Sequence, residues 1–139
     1  MPRRALLIVE DNPRDTLLWQ SAFESAGIPL DEVAFANDGV EALKILLAAR
    51  DRQHGFGMVV TDQHMPNLSG SDLICCIHDD AVMRDTPVVV VTGALRHEGP
   101  VAPHAWYRKP ERFADLVRLA KALHAQARSA RGSIGLPVT

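Results

Sequence analysis

The stretch Met58-Val59-Val60-Thr61-Asp62-Gln63-His64-Met65-Pro66 decides how the rest of this chain is read. It runs apolar and β-branched, then breaks on a carboxylate and a proline-bearing turn. A short apolar run bounded by turn signals suits a strand covered on both faces, and Gly55 and Gly57 mark its start. Asp62 then lies where the strand surfaces, at the carboxyl edge of a sheet, which is where open α/β sheets bind ligands.

A second run, Ala5-Leu6-Leu7-Ile8-Val9, ends the same way, on Glu10 and Asp11 followed by Asn12-Pro13. Two strand ends that deliver three carboxylates to one edge repel each other unless a hard cation sits among them. Such oxygen-rich acidic clusters suit Mg²⁺.

Between and beyond these runs, strand and helix patterns alternate. Pro13 fits a first helical turn with Asn12 or Asp11 as cap, and Leu17, Leu18, Ala22, Phe23 and Ala26 recur at helical spacing before Gly27 stops them. Val33 to Ala36 reads as a second strand. Asp38 with Glu41 opens a helix that runs to about Arg50. Leu73, Ile74 and Ile77 stripe a third helix, Val88 to Val91 form a fourth strand ending at Thr92-Gly93, and a last helix begins at Pro110 or Glu111.

The segment between Thr92 and Lys109 departs from this order. Pro100 and Pro103 stand within four positions, and each interior proline costs a helix about 3 kcal/mol. A fourth helix is therefore expected to be missing or reduced to a mobile turn, leading to a brief strand at Ala105 to Arg108. Alternating strands and helices imply an α/β fold with helices on both faces of a parallel sheet. With a flavodoxin-like topology, five strands in the order 2-1-3-4-5, the switch point lies between the two strands that end in Glu10-Asp11 and Asp62.

Taken in order, Glu10-Asp11, Asp62 with Met65-Pro66 and Gly70, Thr92-Gly93 and Lys109-Pro110 resemble a two-component response regulator receiver domain, similar to the single-domain chemotaxis regulator. The resemblance covers roughly Arg4 to Ala127. It implies that Asp62 is the phosphoacceptor for a histidine kinase, with output through contact with another protein or by relay of the phosphate to a histidine phosphotransferase. Glu10, Asp11, Asp62 and the backbone carbonyl of His64 would hold Mg²⁺, while Lys109 and Thr92 contact the phosphoryl oxygens. Thr92 and Trp106 would form the switch, Trp106 standing where an aromatic three residues before the lysine turns inward. His64 and Ala94 fall at positions that influence attack by water, and the Lys109-Pro110 bond would be cis. Residues 1–127 form the expected receiver domain and residues 128–139 a flexible tail.

The chain has 139 residues and a formal net charge of −2, which argues for one domain and gives no reason to expect direct nucleic-acid binding. Its amino-terminal apolar run is too short for a signal peptide or membrane span, so a cytoplasmic protein is expected. Cys75 and Cys76 are adjacent on a helix, with one expected in the core and the other partly exposed. The expected activity is regulatory rather than enzymatic. A monomer or weak dimer would accept phosphate and bind an unidentified protein effector. Two rivals remain. A small Asp-nucleophile phosphohydrolase is disfavoured because His64 replaces a second carboxylate two residues after Asp62. A receiver-fold binding module with phosphate-independent output is suggested by the degraded fourth-helix region and Trp106.

Overall fold

Apolar β-branched runs become strands and apolar residues at intervals of three and four become helices, so the element order follows the sequence pattern. The computed structural model describes residues 5–52, 55–93 and 99–132. The order is β1 (Leu6–Val9), α1 (Pro13–Ser25), a tight helical turn (Leu30–Glu32), β2 (Val33–Ala36), α2 (Gly39–Asp51), β3 (Met58–Thr61), α3 (Gly70–Asp79), β4 (Val88–Thr92), β5 (Ala105–Arg108) and α4 (Phe113–Gly132). All strands pair in parallel in the order β2-β1-β3-β4-β5. This is the expected flavodoxin-like sheet.

Alternate strand residues serve opposite layers. Leu6, Ile8, Met58, Val60, Val89 and Val91 pack with Trp19, Phe23, Leu116 and Leu123 from α1 and α4. Leu7, Val9, Val59, Val88 and Val90 pack with Ala42, Leu46, Leu73 and Ile77 from α2 and α3. Every residue of β1, β3 and β4 is buried. Each such Val, Leu or Ile contributes about 1.5–3 kcal/mol, which fixes the strand ends as a rigid mount.

Helix starts are set by local chemistry. Asn12 accepts hydrogen bonds from the backbone N–H of Arg14 at 2.9 Å and Asp15 at 3.4 Å, capping α1, and Pro13 takes the first helical position. Asp38 accepts from the N–H of Glu41 at 2.7 Å, while Glu41 reaches back to Asn37 rather than to the cap itself. Ser69 and Asp72 form a reciprocal capping box at α3. Gly39 is required at the start of α2, because a Cβ there would lie 2.4 Å from the Leu68 carbonyl oxygen.

Several expectations are corrected. The last helix begins at Phe113 rather than Pro110 or Glu111, since the Arg112 carbonyl is the first to accept, from the N–H groups of Asp115 and Leu116. That helix continues to Gly132, past the expected tail boundary at residue 128, because Ala127 still packs in the core and the residues after it suit a helix. The tail expectation for residues 133–139 lies outside the described residues. No cis peptide bond occurs among the described residues, so Lys109-Pro110 is trans, the form an X-Pro bond prefers by about 0.5–1 kcal/mol. Cys75 and Cys76 are both partly exposed and both free.

In the β4–β5 connection, residues 99–104 contain no helix, and residues 94–98, including the Ala94 position, lie outside the described residues. Trp106 and Val101 pack instead against the α2/α3-side apolar cluster. Gly99, at φ +116°, brings this connection onto Ser71 at the start of α3.

Candidate functional site

The carboxyl ends of β1 and β3 are neighbours in register, Val9 against Thr61, so the residues that follow each strand meet at one edge. Among the described residues, oxygens of Glu10, Asp11 and Asp62 lie within 4.8 Å of one another. Glu10 is buried at 3% exposure, Asp62 is partly buried and Asp11 is exposed. The loop after Asp62 is held by two close contacts. The Gln63 N–H donates to Asp62 Oδ1 at 2.6 Å, and the Gly70 N–H donates to the Gln63 carbonyl at 3.0 Å. A Cβ on Gly70 would lie 2.3 Å from the Asp62 carbonyl oxygen, so no other residue fits without moving backbone.

Lys109 follows β5 directly, and its N–H donates to the Thr92 carbonyl at 2.9 Å. Its ammonium lies 3.1 Å from Asp62 Oδ2, 3.2 Å from Glu10 Oε2 and 2.8 Å from Asp15 Oδ2. Thr92 is buried at the last position of β4, paired with Arg108. The predicted residues Glu10, Asp11, Asp62 and Lys109 are thus brought together, with Thr92 on the adjoining strand end. His64 is exposed in the loop. Trp106 sits apart from the carboxylates: it pairs with Val90, packs on the α2/α3 side, and its Nε1 is buried with no hydrogen-bond partner among the described residues.

Asp15 is the site residue that sequence reasoning missed. An acid in the first turn of a helix reads as a partner of the helix dipole. Its lysine lies 94 positions away, directly after β5, so the two meet only through the tertiary fold.

The electrostatics follow from three carboxylates, Glu10, Asp15 and Asp62, around one ammonium, with Asp11 beside two of them. Burial pushes the Glu10 carboxyl up to about 7, against the pull of Lys109 and the Asn12 N–H, with the charge of Asp62 adding to the rise. Burial alone would lower the Lys109 pKa; the hydrogen bond to Asp15 and the charges of Glu10 and Asp62 outweigh it and raise the value above the ordinary lysine range. Hard oxygen donors with surplus negative charge, one of them buried, fit a divalent cation such as Mg²⁺. A cleft of about 200 Å³ lined by Leu46, Arg50, Phe56, Val82 and Met83 lies before β3 and β4, at the opposite edge of the sheet. Its described lining includes one ionisable side chain, Arg50, whereas the carboxyl edge gathers several.

A family model, the response regulator receiver domain, matches residues 6–102. The chain belongs to the response regulator receiver family. It is 29% identical over 89 residues to the polar-differentiation response regulator DivK of Brucella ovis, an alignment that covers 64% of this chain and 66% of that protein, just under two thirds. Two solved structures share the fold. The phosphorylated cyanobacterial phytochrome response regulator RcpA superposes with a TM-score of 0.74 at 21% identity, over 92% of this receiver and 96% of that chain. The chemotaxis response regulator CheY4 of Vibrio cholerae superposes with a TM-score of 0.65 at 22% identity, over 88% and 99% respectively. Among the described residues of this receiver, no helix is long and apolar enough to cross a membrane.

Proposed function

We propose that this receiver accepts a phosphoryl group on Asp62 from a histidine kinase or histidine phosphotransferase, and signals in the cytoplasm through contact with a protein effector. The observation that supports the reading is the placement of the Lys109 ammonium between Asp62 and Glu10, beside three converging carboxylates. An Asp62 carboxylate oxygen attacks phosphorus as the phosphorus–nitrogen bond to the donor imidazole breaks, and the imidazole leaves with its electron pair. Glu10, Asp11, Asp62 and the His64 carbonyl would hold Mg²⁺, which when bound would supply positive charge against the repulsion between the phosphoryl group and the acidic pocket. Lys109 donates to a phosphoryl oxygen and the Thr92 hydroxyl to another. The Gln63 N–H keeps the attacking side chain oriented.

Phosphorylation adds about −1.5 to −2 charges to this edge, and a group that moves to meet them carries the signal. Thr92 is the candidate at the strand end. A second reading, partner binding that is independent of phosphate, is favoured by the packing of Trp106 into the apolar cluster, which an inward swing would have to undo.

Intact-mass analysis after incubation with Mg²⁺ and a small phosphodonor tests the first reading. Wild type gains one phosphoryl group and Asp62→Asn gains none. Absence of label on wild type, or equal label on both, removes the proposal. Effector affinity that is unchanged by a beryllium fluoride mimic selects the second reading.

A further inference from the structure

Lys109 is poorly placed to hold its own ammonium still. It leaves the sheet from β5, an edge strand, and must cross the end of β4 to reach Asp62 after β3 and Glu10 after β1. Strands stand about 4.8 Å apart, so the side chain is extended over most of its length. A four-carbon stem with rotatable bonds points its charge weakly unless something at the far end fixes it.

Asp15 is that fixture. Among the described residues it is the ammonium's shortest contact, at 2.8 Å, and it accepts one of the two hydrogen bonds that the ammonium donates, the other going to Asp62. The backbone that carries this carboxylate is anchored in the first turn of α1, where the Asp15 N–H donates to Asn12 Oδ1 at 3.4 Å and Pro13 takes the first helical position. Asp15 stands outside the group of three carboxylates whose oxygens lie within 4.8 Å of one another. It serves the lysine and not the cation-holding set. An ammonium has three N–H donors, so one given to Asp15 leaves two for the acceptors at Glu10 and Asp62.

We infer that Asp15 is a positioning residue for phosphoryl transfer: it holds the Lys109 ammonium from the α1 side so that its remaining donors face the oxygens on and around Asp62. The inference rests on the phosphoacceptor reading given above. In the phosphorylated state Asp15 keeps its hydrogen bond, and the donor now given to Asp62 Oδ2 passes to a phosphoryl oxygen.

The test measures the rate of Asp62 labelling by acetyl phosphate in saturating Mg²⁺, together with the Mg²⁺ dissociation constant by calorimetry. Asp15→Ala slows labelling about tenfold, as expected when a charge-stabilising donor loses its alignment. The Mg²⁺ dissociation constant moves by no more than about threefold, since only a screened charge is lost. In a Lys109→Ala background the same change at Asp15 has no further effect, because the group it positions is gone. Should Asp15→Ala fail to fold, Asp15→Asn carries the test: it keeps an acceptor oxygen but not the charge, and slows labelling about threefold, again only when Lys109 is present.

An unchanged or faster rate overturns the inference. So does a loss of equal size without Lys109, or a loss matched by the same factor in Mg²⁺ affinity. If wild type itself takes no label, the phosphoacceptor reading fails first and this one falls with it; a labelled wild type beside an indifferent Asp15→Ala removes this inference alone.

Discussion

The two faces of the sheet are closed in different ways. On one, α1 and α4 lie side by side, and Trp19 stacks on Phe23 at 5.7 Å over strand residues that are almost fully buried. On the other, α2 and α3 provide the helical cover, and the described contributions from the β4–β5 connection and from β5 are Val101 and the ring of Trp106. That ring leaves its own N–H buried without a partner among the described residues. A helix covers a strand with several periodic side chains, whereas a proline-bearing connection relies on one large residue and accepts an imperfect fit. The regular face carries Lys109's partner Asp15 on α1; the irregular face borders the helix-free stretch at residues 99–104.

Phe23→Ala should do most to separate the two faces. It empties a fully buried ring site between α1 and the sheet, and urea denaturation should show a loss of about 3–5 kcal/mol. A loss under about 1 kcal/mol would mean that this face is no better packed than the other.

The edge where the faces meet has its own lever. The folded-state pKa of Glu10 lies at about 7, above the unfolded value of 4.5. Its contribution to stability is therefore fully present below pH 4.5 and is lost as pH rises through about 7. Without divalent cation the protein should lose on the order of 3 kcal/mol between pH 4.5 and 8 from this group alone, a dependence that Glu10→Gln abolishes. Melting curves across that range, with and without Mg²⁺, check it. A pH dependence identical in wild type and Glu10→Gln would place its origin elsewhere.

Gly70→Ala sets a methyl group against the Asp62 carbonyl oxygen and should cost about 1–3 kcal/mol while also displacing the loop that follows Asp62. Chemical denaturation and the labelling rate should fall together. Trp106→Phe is the smallest change, within about 1 kcal/mol and in the stabilising direction if removal of an unpartnered N–H outweighs the lost ring area. A loss as large as that of Phe23→Ala would show that the irregular face is as tightly fitted as the regular one.

Most of the sheet was legible because its signals are local. Contiguous apolar runs ending on Glu10-Asp11, Asp62 and Thr92 mark buried parallel strands without any knowledge of their neighbours, and Pro100 with Pro103 mark the irregular connection. What stayed hidden depends on contacts between distant residues. Asp15 looks like an ordinary first-turn acid until the tertiary fold brings Lys109, directly after β5, against it. His124, buried 3.2 Å from Glu32, is one more polar residue on a helix until the turn before β2 reaches it. The start of α4 turned on which carbonyl accepts first, and its end on how far Ala127 remains packed; neither follows from periodicity.

The lysine's attachment at the sheet's edge has a consequence for control. The acidic cluster follows two of the inner strands, β1 and β3, but the ammonium is carried by the residue after β5, an edge strand paired only with β4. Peeling β5 from β4 would withdraw the ammonium and leave the acidic cluster whole, which on the proposed function would disarm the receiver without unfolding it. Solvent exchange at the Lys109 amide, which is tied to the Thr92 carbonyl, would then count the armed molecules in a population.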